Sequence, residues 1–318
     1  MTALLVLLTV APFGVWIPLA QIVPRISQHT RTFYVTVGNL AFATCALLVG
    51  GGHLDFGWRT FWLPLAGGVL WTAGNFSAFR ATESIGLARA AGTWTPLNVI
   101  VAFVWGALLF GELDNFSIAH IAFLAAALVL ILIGMLLIVG SQSTAAAGTP
   151  VQAAPDSPAS EPTLTHATRP VPADADTPHA GWLWAGAAGL LWGSYFVPAQ
   201  WANVPARISN LPLAIGIFAA GSALALTRGG LTRLSLPVTA LQIAAGVLFG
   251  IGNLALLGLL PRVGTGVGFT IAQLSLLVNA SIGIWIFKVP QPGTHAARTA
   301  LSGILIAGIG GCIIGLMR

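Results

Sequence analysis

The chain has 318 residues, 56% of them hydrophobic and only 7% charged, with 13 lysines and arginines against 8 acidic residues and a formal net charge of +5. Soluble domains carry roughly 25% charged residues, so a water-soluble globule, a disordered chain and a coiled coil are excluded, and a mean hydropathy of +0.89 makes lipid the solvent. The basic residues stand singly between apolar runs, which argues against nucleic acid as a partner and marks them as topology signals.

A spanning helix needs about 20 apolar residues. Ten such stretches are predicted, at residues 2–23, 32–51, 60–81, 88–110, 118–140, 181–201, 208–227, 236–258, 264–287 and 297–317. The first lacks the basic start of a signal peptide and runs straight into further spans, so it counts as span 1. The expectation is an all-α membrane protein with ten transmembrane helices, multi-pass in the cell membrane. Cys45 and Cys312 fall inside apolar runs and read as small packing residues.

Composition changes abruptly over 141–180. Seven of the nineteen prolines and four of the eight acidic residues (Asp156, Glu161, Asp174, Asp176) lie there, and Val151, Leu164 and Val171 are almost its only large apolar residues. That is too little apolar surface to offset the entropy of ordering it. A disordered Pro/Ala-rich linker is predicted, separating a first five-helix repeat at 1–140 from a second at 181–318.

An internal repeat supports this division. The run from Ala66 to Asn75 in span 3 (AGGVLWTAGN) matches the run from Ala244 to Asn253 in span 8 (AAGVLFGIGN), 178 residues on, and each continues through a glycine, Gly86 or Gly264, into the next span. Phe13-Gly14-Val15-Trp16-Ile17-Pro18 parallels Trp192-Gly193-Ser194-Tyr195-Phe196-Val197-Pro198 with a one-residue gap. Charge orients the copies. Loops 1-2 and 3-4 carry Arg25, Arg31, Arg80 and Arg89 while loops 2-3 and 4-5 carry only Arg59; in the second half the bias reverses, with Arg228, Arg233, Lys288 and Arg298 in loops 7-8 and 9-10 against Arg207 and Arg262. Five spans is an odd number, so the second copy enters the bilayer upside down and the basic loops of both fall on one face: two inverted five-helix repeats. Taken literally, the positive-inside rule puts the linker inside and both termini outside.

No metal-binding, nucleophile or phosphate-cradling motif and no paired carboxylates occur, and the six histidines fall in loops or at span ends, so neither an enzyme nor a cofactor is expected. Polar groups inside the spans must be satisfied by protein or line a water-accessible path. Asn75, Asn98, Asn253, Gln273 and Asn279 lie within spans 3, 4, 8 and 9, and Trp71, Trp192 and Tyr195 lie in the same region, as do Trp16, Trp94 and Trp105. Each amide taken singly also suits helix-to-helix hydrogen bonding, and each tryptophan suits packing or an interfacial anchor. As a set they suggest a cavity. Asn75 and Asn253 are repeat mates, which an inverted two-fold would set facing each other near mid-membrane. Trp71 is one helical turn from Asn75 on the same face. Flat apolar faces beside amides suit a neutral polyhydroxylated solute, whose CH face stacks while its hydroxyls hydrogen-bond.

No carboxylate stands mid-bilayer. Proton coupling would need Glu83, Glu112 or a histidine, and Glu83 has the alternative of pairing with Arg80 at helical spacing. Most of the 38 glycines serve close helix approach, while Gly264, Gly266 and Gly268 beside Pro261 are placed to bend or break the helix at the mouth of span 9.

These residues resemble the glucose/ribose porter family, the glucose-uptake-protein group of the drug/metabolite transporter superfamily. The resemblance rests on Gly68-Val69-Leu70-Trp71-Thr72-Ala73-Gly74-Asn75 followed by Ile85-Gly86, on Trp192-Gly193-Ser194, on Phe110-Gly111-Glu112, and on Gly252-Asn253 with Val263-Gly264 and Ala272-Gln273. It covers both halves and not the linker. It implies ten helices in two inverted repeats, a central cavity and sugar uptake by alternating access, with Trp71, Asn75, Asn253 and Gln273 in the cavity wall. The sequence departs from the family in carrying Lys288 where an acidic residue is expected after span 9, and Asn75 where many relatives have glutamine. The expected function is a secondary transporter taking up a small neutral polar solute such as glucose. An exporter of metabolites, amino acids or drugs on the same scaffold, and a non-transporting membrane sensor or partner protein, are the alternatives.

Overall fold

In lipid a backbone has no water to bond, so uncharged apolar runs close their hydrogen bonds within the helix. The computed structural model describes residues 1–23, 26–85, 87–114, 116–147, 178–227 and 231–316. Its helices in chain order are α1 (Thr2–Gln21), α2 (Gln28–Val49), a π-helical turn (Trp58–Trp62) leading into α3 (Leu63–Ile85), α4 (Leu87–Phe110), α5 (Ile118–Ala147), α6 (Pro178–Trp192), α7 (Val197–Trp201), α8 (Ala206–Thr227), α9 (Leu236–Val263), α10 (Thr265–Gln273), α11 (Ser275–Trp285) and α12 (His295–Leu316). Taking α10 and α11 together, eight segments among the described residues are long and apolar enough to cross a membrane. The chain is an all-α, multi-pass membrane protein.

Two predicted spans are not continuous helices. Span 6 stops at Trp192 and resumes as α7 at Val197; between them the Ser194 amide donates to the Leu191 carbonyl at 3.2 Å, three residues back, while Pro198 near the start of α7 suits a first helical turn. Span 9 breaks at Leu274, whose amide donates to the Ile271 carbonyl at 3.0 Å, three residues back instead of four. The glycine expected to interrupt this region acts one step earlier. Gly264 ends α9 at φ +82, a left-handed conformation that suits glycine and lets α10 start in a new direction. Helix α5 runs to Ala147, past the boundary expected at 140. The linker segment 148–177, with Gly86, Arg25 and Arg228, lies outside the described residues. Cys45 and Cys312 are a correction: both are exposed on the outside of the bundle instead of packed within it.

The helices pack in matched pairs. Helix α1 lies on α9 as α6 lies on α3; α2 lies on α9 as α8 lies on α3; α4 lies on α6 as α11 lies on α1; and α2 meets α8, α4 meets α10 and α5 meets α12. Lipid offers no hydrophobic drive between helices, so close backbone approach at small residues holds such contacts. A Cβ on Gly38 would overlap the Ile243 carbonyl across from Gly246, and one on Gly216 would overlap the Leu65 carbonyl across from Gly68. Gly38 and Gly216 are 178 residues apart, and so are Gly68 and Gly246. The α5–α12 contact is closed in the same way by Gly134 against Gly303. Where α3, α6, α8, α9 and α10 converge, Trp71, Tyr195, Phe196, Leu213, Phe249 and Phe269 form the central core.

Candidate functional site

The packing leaves a cavity of about 1020 Å³ at this convergence. Helix α3 faces it with Trp71, Asn75, Ala78, Phe79, Thr82 and Ile85, and α4 with Ala91, Trp94, Thr95 and Asn98, both at the spacing that keeps one helix face together. Helix α1 adds Phe13, Trp16, Ile17, Ala20 and Gln21, and the second half adds Gln273 and Asn279 from α10 and α11. Gln21, Gln28, Arg31, Thr82 and Arg89 all lie where α1 gives way to α2 and α3 to α4, so the cavity reaches this near end of the bundle.

Its inner part is aromatic. The Trp71 and Phe249 ring centroids are 4.9 Å apart, Trp16 meets Phe249 at 5.3 Å in an edge-on arrangement, and Trp94 meets Trp192 edge-on at 5.6 Å. The Trp192 indole donates to the Trp71 carbonyl at 3.2 Å, fixing ring and helix together. Trp105 instead donates to the Ser194 hydroxyl at 2.8 Å and is not in the wall. Asn98 is 4% exposed and its Oδ1 has no partner although it is buried in the cavity wall, so an acceptor stands ready there.

The near end is cationic. The Arg31 guanidinium donates to the Ala20 carbonyl at 2.5 Å and the Val23 carbonyl at 3.3 Å, and the Gln242 amide donates to the same Ala20 carbonyl at 3.0 Å. These bonds hold the end of α1 against α2 and α9. Among the described residues, no acidic side chain lines the cavity.

The structure brings Trp71, Asn75, Asn98, Trp192, Tyr195, Gln273 and Asn279 into one wall. Asn253 is placed differently from its mate Asn75. It is fully buried behind Tyr195, accepting from the Tyr195 hydroxyl at 3.1 Å and donating to the Asn210 side-chain carbonyl at 3.1 Å. Glu83 is exposed, 4.0 Å from Arg80, and does not line the cavity. Glu112 sits at the opposite, far end and accepts from the backbone amides of Thr265 and, at 3.2 Å, Gly266, so it caps the start of α10 with a negative charge. Sequence reasoning missed Phe13, Phe249, Phe269, Arg31 and Gln28 as wall residues. Phe249 was findable, since the repeat aligns it with Trp71.

The model of the sugar transport protein family matches residues 7–153 and 175–317. A Listeria innocua protein named for sugar uptake is 23% identical over 98% of this chain and 99% of its own length. A Lactiplantibacillus plantarum protein named for ribose uptake is 24% identical over 85% of this chain and 84% of its own. One crystal structure, 20% identical in sequence, superposes with a TM-score of 0.65 over 100% of this chain and 98% of that one, a likeness of fold. Membership of a transport family sets the chain among transporters and apart from enzymes. With the family model spanning both halves, the chain belongs to the family of sugar transport proteins.

Proposed function

We propose that the protein is a secondary transporter that takes up a small neutral polar solute, a sugar such as glucose, by alternating access. The observation that carries this reading is the cavity of about 1020 Å³, whose inner part sets aromatic faces beside uncharged amides with no carboxylate among the described lining residues. A hexose presents just this pair of surfaces, CH faces and hydroxyls. In this reading Trp71 and Trp192 supply the stacking faces, Asn75, Asn98, Gln273 and Asn279 bond the hydroxyls, Tyr195 closes the inner end and Asn253 holds Tyr195. The names of the relatives, sugar uptake and ribose uptake, agree with it.

The proposal includes a duplicated architecture within the drug/metabolite transporter superfamily: two five-helix repeats, 1–140 and 181–318, inverted in the bilayer about the cavity. The matched helix pairs and the glycine contacts recurring at a 178-residue offset support it. Rocking of one half against the other about the shared wall then exposes the solute to each side in turn. Of the two acidic coupling candidates this reading favours Glu112, which joins the α4–α5 connection to α10 by accepting from the Thr265 and Gly266 amides, over the exposed Glu83.

A thermal-shift panel on the detergent-solubilised protein tests the solute class. Glucose or ribose raising the melting temperature in a saturable way supports the proposal. Stabilisation by cationic or amino-acid compounds with none by sugars would favour the exporter, and no stabilisation by any solute together with a stably bound protein partner would favour the sensor.

A further inference from the structure

A second cavity of about 220 Å³ lies at the far end, with Ala199, Gln200, Ser209, Leu257 and Leu260 in its wall. Four of its residues are repeat mates of residues at the large cavity's mouth. Gln200 stands 180 residues after Ala20, the offset that relates Pro198 to Pro18, and Ser209, Leu257 and Leu260 stand 178 after Arg31, Phe79 and Thr82. All four of those mates line the large cavity. The two spaces lie within a few residues of each other along both segments: Tyr195 and Leu256 line the large cavity, while Ala199, Leu257 and Leu260 line the small one. Here Tyr195, Asn253 and Asn210 form a hydrogen-bonded chain, and all three are buried.

We infer that the small cavity is the far mouth of the same route and a second site for a neutral polyhydroxylated solute, shut off from the large cavity by the Tyr195–Asn253–Asn210 chain. This rests on the transport reading above and extends it to a site outside the central wall. The far mouth differs from the near one in charge. Ser209 stands where the near mouth has Arg31, and the polar groups facing the space are uncharged, from Gln200, Asn203 and Ser209. The Gln200 amide nitrogen donates to the Thr265 hydroxyl at 2.5 Å while its Oε1, though buried, is left without a partner, an acceptor for a solute hydroxyl. Among apolar neighbours such as Phe110, Leu257 and Pro261, the polar side chains a solute meets here carry amides and a hydroxyl and no charge, which selects against ions at the far face.

Cysteine reactivity tests this on the full chain with Cys45 and Cys312 replaced by alanine. Ser209→Cys and Ala199→Cys report on the far mouth, Thr82→Cys on the near mouth and Ala127→Cys, in the α5–α12 contact, on the integrity of the fold. The probe is a membrane-impermeant maleimide. Adding Tyr195→Phe removes one hydrogen bond from the barrier and should speed labelling of both far-mouth cysteines up to about tenfold, with Ala127→Cys unchanged. Far-mouth rates that do not change, or an equal rise at Ala127→Cys, would overturn the inference. In the Tyr195→Phe background glucose should slow labelling at Ser209→Cys as well as Thr82→Cys. Protection at Thr82→Cys alone would overturn the second site while leaving the central one; protection at neither would remove the sugar reading and this site's solute with it.

Discussion

The rings of Trp71 and Phe249 lie 4.9 Å apart, inclined at 47°, and the two residues occupy the same place in their respective halves, 178 positions apart in the chain. In the duplicated architecture proposed above, the aromatic wall of the cavity is also the seam between the halves, and a ring proposed to stack on a solute would also hold them together. Trp71→Phe keeps the seam and shrinks the stacking face, and glucose affinity should fall by up to about tenfold, the scale of an aromatic contact worth ~0.5–1.5 kcal/mol. Trp71→Ala opens the seam itself and should cost ~3–5 kcal/mol of stability. Tryptophan-fluorescence titration and thermal unfolding in detergent separate the two effects.

Asn75 and Asn253 are sequence mates with different surroundings, one in the cavity wall and one buried against Tyr195 and Asn210. Asn75→Ala should weaken glucose binding by up to about tenfold with an unchanged melting temperature, since only a solute contact is lost. Asn253→Ala leaves buried polar groups without partners and should cost ~1–3 kcal/mol of stability. Measuring both quantities for both variants checks the assignment; a drop in melting temperature for Asn75→Ala alone would reverse it.

The glycine contacts make a prediction about the duplicated architecture. Gly38→Ala and Gly216→Ala each push a Cβ into a facing carbonyl, so each should destabilise by ~1–3 kcal/mol, and by similar amounts. Gly186→Ala, where a Cβ meets nothing within 4 Å, is the control and should be neutral or slightly stabilising. Thermal unfolding of the three purified variants checks this.

The two carboxylates singled out for coupling separate by position. Glu83 is exposed and paired with Arg80, whereas Glu112 holds the first amides of α10 across the far end. Glu112→Gln should flatten the pH dependence of uptake, and Glu83→Gln should leave it as in the unaltered protein. Uptake measured over a series of imposed pH gradients decides; equal profiles for both variants would take Glu112 out of coupling.

The helices were legible because lipid reduces the backbone's options to one, so the long uncharged runs at 2–21, 32–49 and 236–261 can be read directly. The breaks were less so: Pro18 lies inside a continuous α1 while its repeat mate Pro198 follows a break, and Leu274 is not a residue that forbids helix. In the cavity, the amides stood out because they are costly in lipid and Phe249 could be found as the repeat mate of Trp71, while Phe13 and Phe269 were hidden among ordinary apolar residues. Asn253 shows what composition cannot convey. Its identity with Asn75 in the repeat says nothing of Tyr195, which comes from another helix turn and takes its side chain out of the wall.

Uptake of radiolabelled glucose into proteoliposomes holding the purified protein, alongside the Asn75→Ala variant, tests the central claim most directly. The account predicts saturable entry that unlabelled glucose competes away and that Asn75→Ala reduces by up to about tenfold. Entry no faster than into protein-free liposomes, or identical entry with both proteins, would contradict it.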